Sequence, residues 1–392
     1  MSYLFRGSRM TRRRGAVAVF VMVMMVVLIG FATITVDVGV LYNTRADLQN
    51  AADAAALAGV SAYATPEMLQ VRLGKNVSEN LSYVLNRAER TARMTARRNA
   101  SFNGKGTILE EGEVRTGWID AKSATSPFDP NPDPADYNAV YVHTQRSGES
   151  VNGPVKFFFG MIFGKHLSSV SASAVAVYDD HFSGYEVSDP YSASVWPFTI
   201  SEEQYDNWIT TAKDGFTWDM DNAQVVPGPD GEVEVQLYPD ELAPGNYGLL
   251  NIGTENQSTT ALGDQITGGV SASDLELEIG TSALTFFDDN GNPVNYEITG
   301  NPGLKAALEA DIEDRLGDVV AFFVHDNVEY SGTNVIYHIT GIRFARVMDV
   351  MLQGTSSERG LWMQPVVYIG PGVITDPGAP SSDGVGRISL VR

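Results

Sequence analysis

The sequence predicts an α+β protein hung from one N-terminal transmembrane helix. That helix continues into a stalk helix, then a small helix-plus-antiparallel-sheet domain, then a β-rich α+β domain. Three observations predict this. An uncharged run of 22 residues follows a cluster of arginines, and the alanine-rich segment after it keeps helical spacing. Beyond about residue 100, short β-branched and aromatic runs alternate with Gly, Pro, Asn and Asp. The expected boundaries are a basic tail at 1–14, the span at 15–36, the stalk at 37–65, a first domain at 66–185 and an acidic domain at 186–392.

The span is Gly15–Val36, GAVAVFVMVMMVVLIGFATITV. At 1.5 Å per residue it covers about 33 Å, enough for a hydrocarbon core of about 30 Å. Arg6, Arg9, Arg12, Arg13 and Arg14 precede it and Asp37 follows. The positive-inside rule then leaves Arg12, Arg13 and Arg14 in the cytoplasm and sends the rest across the membrane. A secretory signal peptide has a shorter apolar region of about 7–15 residues, ending at a small-residue cleavage site. A buried core helix would rarely carry 22 uncharged residues behind five arginines.

Charge supports a division at the membrane. The chain of 392 residues has 48 acidic and 27 basic residues, a net charge of −21. Residues 1–100 hold 13 Lys/Arg and 6 Asp/Glu, and the remainder hold 14 and 42. Such an acidic body argues against nucleic acid as a partner. With no cysteine, disulfides, thiolate metal sites and cysteine nucleophiles are excluded.

After Asp37 the residues Ile34, Val38, Leu41, Arg45, Leu48, Ala52, Ala55 and Gly59 fall at alternating spacings of four and three. All but Arg45 are apolar or small, which predicts one face of a continuing helix, with Asn43, Asp47 and Asn50 opposite. Nine of the 19 residues Ala46–Ala64 are alanine, favouring helix and close packing. Such a face can pack on its own domain or serve as a protein–protein seam, including a homo-oligomer seam.

The unit RRRGAVAVFVMVMMVVLIGFATITVDVGVLYNTRADLQNAADAAALAG resembles the amino-terminal signature of TadE/TadG-like Flp pilus-assembly proteins. Its carriers are Arg12–Gly15, the span, Asp37, Gly39, Tyr42, and the Leu48–Gly59 block containing Gln49, Asn50, Ala52, Asp53 and Ala55. The resemblance implies a membrane-anchored component of bacterial tight-adherence secretion and pilus machinery, with other assembly subunits as partners. It places the chain in the inner membrane, with its bulk periplasmic or extracellular. Prepilins are cut after a glycine at the membrane face, where Gly15 stands. They share a glutamate five residues later, however, where this chain has Phe20, and cleavage stays open. Some TadG-like proteins carry a von Willebrand factor A module with a D-x-S-x-S metal site. No such string occurs in this sequence.

In the first domain, Thr65-Pro66-Glu67 predicts the start of a helix running to about Asn99. Its C-terminal arginines, Arg87, Arg90, Arg93, Arg97 and Arg98, suit the negative end of the dipole and a solvated face. Strands are expected at Thr107–Leu109, Glu113–Ile119 and Ala139–Thr144. VKFFFGMIFGK reads as a short apolar helix, followed by a strand at Ser168–Tyr178. This order also resembles the TadE/TadG-like region. Asp129, Asn131 and Asp133 imitate a calcium loop, but Pro134 and Val140 stand where its glycine and bidentate glutamate belong.

In the acidic domain, strands are expected at Glu232–Tyr238, Val319–His325, Val335–Thr340, Ile342–Met351 and Pro365–Ile369. Leu284–Asp288 should pair with Val294–Ile298 across the turn Asp289-Asn290-Gly291-Asn292. Helices are expected from Ser258 to Gly268, and over Leu304, Leu308, Ile312 and Leu316 up to Gly317. No G-x-S-x-G, Walker A, G-x-G-x-x-G or H-E-x-x-H string occurs. His325 and His338 are expected to face each other beside Asp326, as a structural pair lacking a third metal ligand. Asp219 and Asp221 read as a turn. The expectation is a non-enzyme without metal or cofactor that works by contact. The alternative is a membrane-tethered module binding an extracellular ligand or cation.

Overall fold

The computed structural model describes residues 14–99, 104–121, 126–187, 192–211, 213–238, 247–253, 258–288, 290–331, 334–354, 359–382 and 384–391. The chain divides into two compact units. One draws on Met1–Ala56, Arg90–Arg115 and Tyr141–Val175, the other on Leu57–Glu89, Thr116–Val140 and Ala176–Arg392. As the sequence predicts, a long apolar N-terminal helix is followed by a β-rich α+β body with several sheets.

Helix α1 (Arg14–Val60) runs unbroken for 47 residues. The single helix expected from Thr65 to Asn99 is instead two, α2 (Pro66–Arg72) and α3 (Val77–Arg98). Gly74 at φ +73° and Asn76 at φ +45° take left-handed conformations, which a continuous helix does not accommodate. Pro66 holds the first helical turn as expected, but the Thr65 hydroxyl donates back to Ala62 O at 3.0 Å instead of capping. Val84, Ala88, Ala92 and Ala96 form the buried face of α3, while Arg90, Arg97 and Arg98 are exposed.

The longer strands that contribute to the first unit are β1 (Val114–Gly117), β2 (Ala139–Arg146) and, after a short interruption, β5 (Val170–Asp179). The interruption is a two-residue pair, β3 (Val155–Lys156) and β4 (Leu167–Ser168). Between them the expected apolar helix is only one 3₁₀ turn, Gly160–Phe163. Gly164 at φ +73° ends it after four residues, too few to propagate an α-helix. Thr107–Leu109 forms no strand. Thr107 N donates to Ala96 O at 3.1 Å, and Arg93 Nη1 reaches Leu109 O at 2.5 Å, so the segment is tied to α3.

The second unit contains β6 (Phe182–Glu186), β7 (Ser194–Ser201), α4 (Glu202–Thr211), a hairpin of β8 (Phe216–Asp219) and β9 (Gln224–Pro227), and β10 (Val235–Tyr238). Then come β11 (Tyr247–Leu250), α5 (Thr259–Gly268), α6 (Ala272–Ile279), β12 (Ala283–Thr285), β13 (Tyr296–Pro302) and α7 (Glu309–Glu313). The last strands are β14 (Val319–Ser331), β15 (Asn334–Met351), β16 (Gly360–Pro365), β17 (Val373–Thr375) and β18 (Arg387–Val391). Ser258 caps α5 by accepting from Ala261 N, as its position predicts.

Five of these strands close on themselves. β15 pairs with β13 on one edge and β14 on the other; β13 pairs with β11, and β11 with β7. β7 then pairs with β14 in parallel, completing the ring. Closure removes the free edges that would otherwise template aggregation. β16 and β10 extend from the second half of β15. Both faces of β14 are buried. Val320, Phe322 and Val324 join one apolar cluster with Leu262, Ile266 and Ile312 of α5 and α7. Ala321 and Phe323 join another with Tyr185, Leu284 and Phe344. The apolar run VVAFFV follows from that double burial.

Several expectations are corrected here. Val335–Thr340 and Ile342–Met351 are one strand of 18 residues running through Gly341. Leu284–Asp288 and Val294–Ile298 meet across the turn but do not form a strand-to-strand ladder: a Phe287–Pro293 bridge and Val294 N donating to Phe286 O at 2.8 Å join them, while β12 pairs with β6. Their turn keeps its chemistry, with Asp288 accepting from Asn290 N and Asn292 N and Gly291 at φ +77°. Asp289 lies outside the described residues. The strand expected at Pro365–Ile369 lies earlier, ending at Pro365 because proline has no N–H for the ladder. The helix before Gly317 is a 3₁₀ turn, Ala306–Leu308, plus the single turn of α7.

Two carboxyls leading into β10 make this unit sensitive to pH. Burial, with Asp230 and Glu67 nearby, pushes Glu232 up to about 7. Burial also raises Glu234 to about 7, although Gly215 N donates to its carboxylate at 2.7 Å. A carboxyl that binds its proton more tightly when folded adds stability below its unfolded pKa. That contribution disappears as pH rises through the folded value. The melting temperature of the detergent-solubilised chain should therefore fall between pH 5 and pH 8, with about 1 kcal/mol lost per group after allowance for solvent screening. The double variant Glu232→Gln, Glu234→Gln should flatten that slope. A slope unchanged in the variant would remove these two groups from the explanation.

Candidate functional site

The candidate site is helix α1 and what it carries. From Val17 to Phe31 nearly every side chain is open, including Phe20, Met22, Val26 and Leu28. Among the described residues α1 is the one helix long and apolar enough to cross a membrane. A soluble core helix of this composition would be covered instead.

Cover begins at Thr33. The buried line runs Thr33, Asp37, Val40, Thr44, Leu48, Ala52 and Ala55, with Ala51 and Ala56 beside it and Gly59 beyond. The expected line agrees from Leu48 onward. Before that it lies one residue off, because Ile34 and Val38 are exposed, as is Arg45. Thr33, Asp37 and Thr44 are not part of the expected apolar line, yet each takes its place in the buried one with its polar atoms engaged. Thr33 Oγ1 donates to Gly30 O at 2.7 Å and Thr44 Oγ1 to Val40 O at 2.8 Å. A hydroxyl bonded within its own helix presents mainly a methyl group to its surroundings.

Asp37 is the informative member. Only 7% of it is exposed, one residue past the uncharged run. Its Oδ1 accepts from Phe158 N at 2.8 Å and its Oδ2 from Phe159 N at 3.1 Å. These amides open the Gly160–Phe163 turn, which Phe159 precedes as N-cap without a capping side chain of its own. Asp37 therefore supplies, from 121 residues earlier in the chain, the acceptor that such a turn requires.

The next contacts fix the helix to its sheet. Thr144 of β2 is fully buried, its Oγ1 lying 3.0 Å from Leu48 O and 3.2 Å from Ala172 O. Gln49 Nε2 donates to Asp53 Oδ1 at 2.7 Å and to Ser173 O of β5 at 3.1 Å. Leu48, Ala52 and Ala55 are completely buried in the chain's own fold. On the open side stand Asn50 and Tyr42, the latter 72% exposed, and a side chain at Gly39 would meet nothing within 4 Å. Arg14 begins α1 and Gly15 follows it, while Arg12 and Arg13 lie outside the described residues. Thr144 carried no sequence signal, since its role depends on a carbonyl nearly a hundred residues away.

Other polar groups are engaged internally. His325 and His338 do not face each other: irregularities around His325 set it opposite Ile339, with His338 opposite Asn327. Buried His325 contacts Thr199 Oγ1 through Nδ1 at 2.9 Å, and His338 lies 3.4 Å from Glu329. Asp219 accepts from Asp221 N and Asn222 N, the expected turn. Asp129 accepts from Asn131 N in the same manner. Asp179, Asp180 and His181 lie close enough together for a cation. However, His181 Nδ1 is 2.7 Å from Asp179, and Asp180 pairs with Arg72 at 3.4 Å and Ser381 Oγ at 2.7 Å. A cavity of about 500 Å³ is lined by Phe182, Phe286, Phe344, Tyr205, Glu202 and Arg343, the last two ion-paired at 2.8 Å.

Replacing Asp37 by leucine would leave two backbone N–H groups without an acceptor. The expected loss is about 3 kcal/mol, read as a lower denaturant midpoint of the detergent-solubilised chain. A midpoint unchanged within error would mean that the carboxylate does not hold the turn.

No curated protein and no solved structure matches this chain. The stretch that does match a known family is the one just described: residues 15–62, α1 from its second residue together with the turn after it, match the TadE/G-like Flp pilus-assembly family model.

Proposed function

We propose that this protein is a membrane-anchored assembly component of a Tad-like Flp pilus or tight-adherence secretion system. In this reading α1 crosses the bacterial inner membrane with Arg12, Arg13 and Arg14 on the cytoplasmic side, and the acidic body lies across it. The protein works by contact with other pilus-assembly subunits and is not an enzyme. The observation that carries the reading is coincidence. The family match at 15–62 covers the helix whose first half is apolar and open and whose second half is covered along one line only.

That burial supports a contact face on the other side of the helix. Leu48, Ala52 and Ala55 are occupied by the chain's own fold, so a charge at Leu48 would test folding and not partnership. The free side carries Val38, Tyr42, Arg45, Ala46 and Asn50. A helix presenting an exposed tyrosine at i, i+4 from small and apolar residues is suited to packing against a second helix. The motif residues Gly39, Tyr42 and Asn50 belong to this proposed face, whereas Asp37, Gln49 and Asp53 hold it in place.

The alternative of a tethered ligand-binding module draws on the aromatic cavity beside Arg343. The two differ under mutation. Tyr42→Arg with Ala46→Glu should abolish co-purification of neighbouring membrane subunits while leaving the melting temperature within about 2 °C of wild type. Retained co-purification would overturn the contact reading. A large stabilisation by millimolar calcium or an added ligand would favour the binding module.

A further inference from the structure

The 3₁₀ turn held by Asp37 exposes what a soluble surface ordinarily hides. Phe158, Phe159, Met161 and Ile162 stand open on a four-residue turn and its entry, and Leu167 is open just beyond. Ile162 is 72% exposed and Phe158 63%. These side chains are presented by a built loop. Phe157 N donates to His166 O at 3.1 Å and Lys165 N to Gly160 O at 2.9 Å, closing it at two levels. Gly160 has no room for a side chain, because a Cβ there would strike Lys165 O and the Phe157 ring. The loop thus holds its apolar groups outward by construction.

Its location identifies what covers them. Asp37 is the first residue after the uncharged run, and its carboxylate binds the Phe158 and Phe159 amides directly. If about 20 residues from Gly15 fill the hydrocarbon core, Asp37 stands just outside it, in the headgroup layer. Thr33 is 8% exposed whereas Phe31, Ile34 and Val36 are open. The Asp37 face is therefore covered by protein one turn back toward the span, about 6 Å along the axis. Lys156 and Lys165 border the loop and can pair with anionic lipid phosphates at that boundary. Apolar and aromatic side chains beside cations are the composition of an interfacial anchor.

We propose that the Phe157–Lys165 loop is a second membrane contact, seating Phe158, Met161 and Ile162 in the headgroup–acyl boundary of the bilayer that α1 crosses. The proposal rests on the spanning reading of α1. It gives the Asp37 clasp a purpose: the carboxylate locks the loop at the depth where the helix leaves the membrane. Two points of contact then restrict rotation of the helix about its own axis, which fixes the direction in which Tyr42 faces.

The chain has no cysteine, so a single introduced one reports alone. Full-length Ile162→Cys and Val26→Cys proteins would carry an NBD fluorophore in vesicles of phosphatidylcholine and phosphatidylglycerol. The vesicles would contain lipid spin-labelled at acyl carbon 5 or 12. The label at 162 should emit blue-shifted and be quenched at least twofold more by the carbon-5 lipid, and the label at 26 more by the carbon-12 lipid. Quenching at 26 but not at 162, with water-like emission at 162, would place the loop in solvent and overturn the proposal while leaving the span intact. Blue-shifted emission at 162 without lipid quenching would assign it to protein, a second copy or a neighbouring subunit, and would equally overturn it. No quenching at 26 would reject the span, and the anchor with it.

Discussion

One helix has to satisfy two surroundings, and the residue at the change is Asp37. Up to Phe31, α1 is apolar on all sides and the fold leaves it open. After Asp37, the helix is amphipathic and covered along a single line. A carboxylate cannot be buried without donors, so its position requires protein beside it. The Phe158 and Phe159 amides provide those donors. Thr144 and Gln49 continue the attachment toward the alanine-rich end. The sheet, the short aromatic turn and the orientation of the helix all follow from that line of contacts.

Alanine along the covered line serves the same end. Ala51, Ala52, Ala55 and Ala56 allow close approach of sheet to helix and lose no side-chain entropy on burial. Tight packing here does not depend on large side chains, and the exposed side of the helix is left free for a different surface chemistry. The acidic second unit holds together by other means. Its closed strand ring is buried on both faces between two apolar clusters, which suits a chain with no disulfide to brace it.

Local signals were legible in the sequence and long-range ones were not. The length of α1, the cap at Ser258, and strands β2, β5 and β10 follow from periodicity and turn chemistry. The stripe on α1 was read correctly where apolar residues form it, from Leu48, and missed by one residue where Thr33, Asp37 and Thr44 form it. Their burial depends on hydrogen bonds that hydropathy does not record. Gly341 suggested a break in β15, but a glycine inside a strand also marks close approach, here to Val324. The parallel pairing of β7 with β14 joins segments more than a hundred residues apart, and no local pattern encodes it. The aromatic turn was recognised as apolar, but its exposure depends on the Asp37 contact.

The most direct measurement is residue-resolved amide exchange of the full-length chain in lipid nanodiscs. If Asp37 fixes the turn to the helix exit, the Phe158 and Phe159 amides should exchange at least about 100-fold more slowly than open-loop amides. That protection should vanish in Asp37→Ala while the amides of β2 and β5 stay protected. Open-loop exchange at both amides in the unmodified chain would contradict the account.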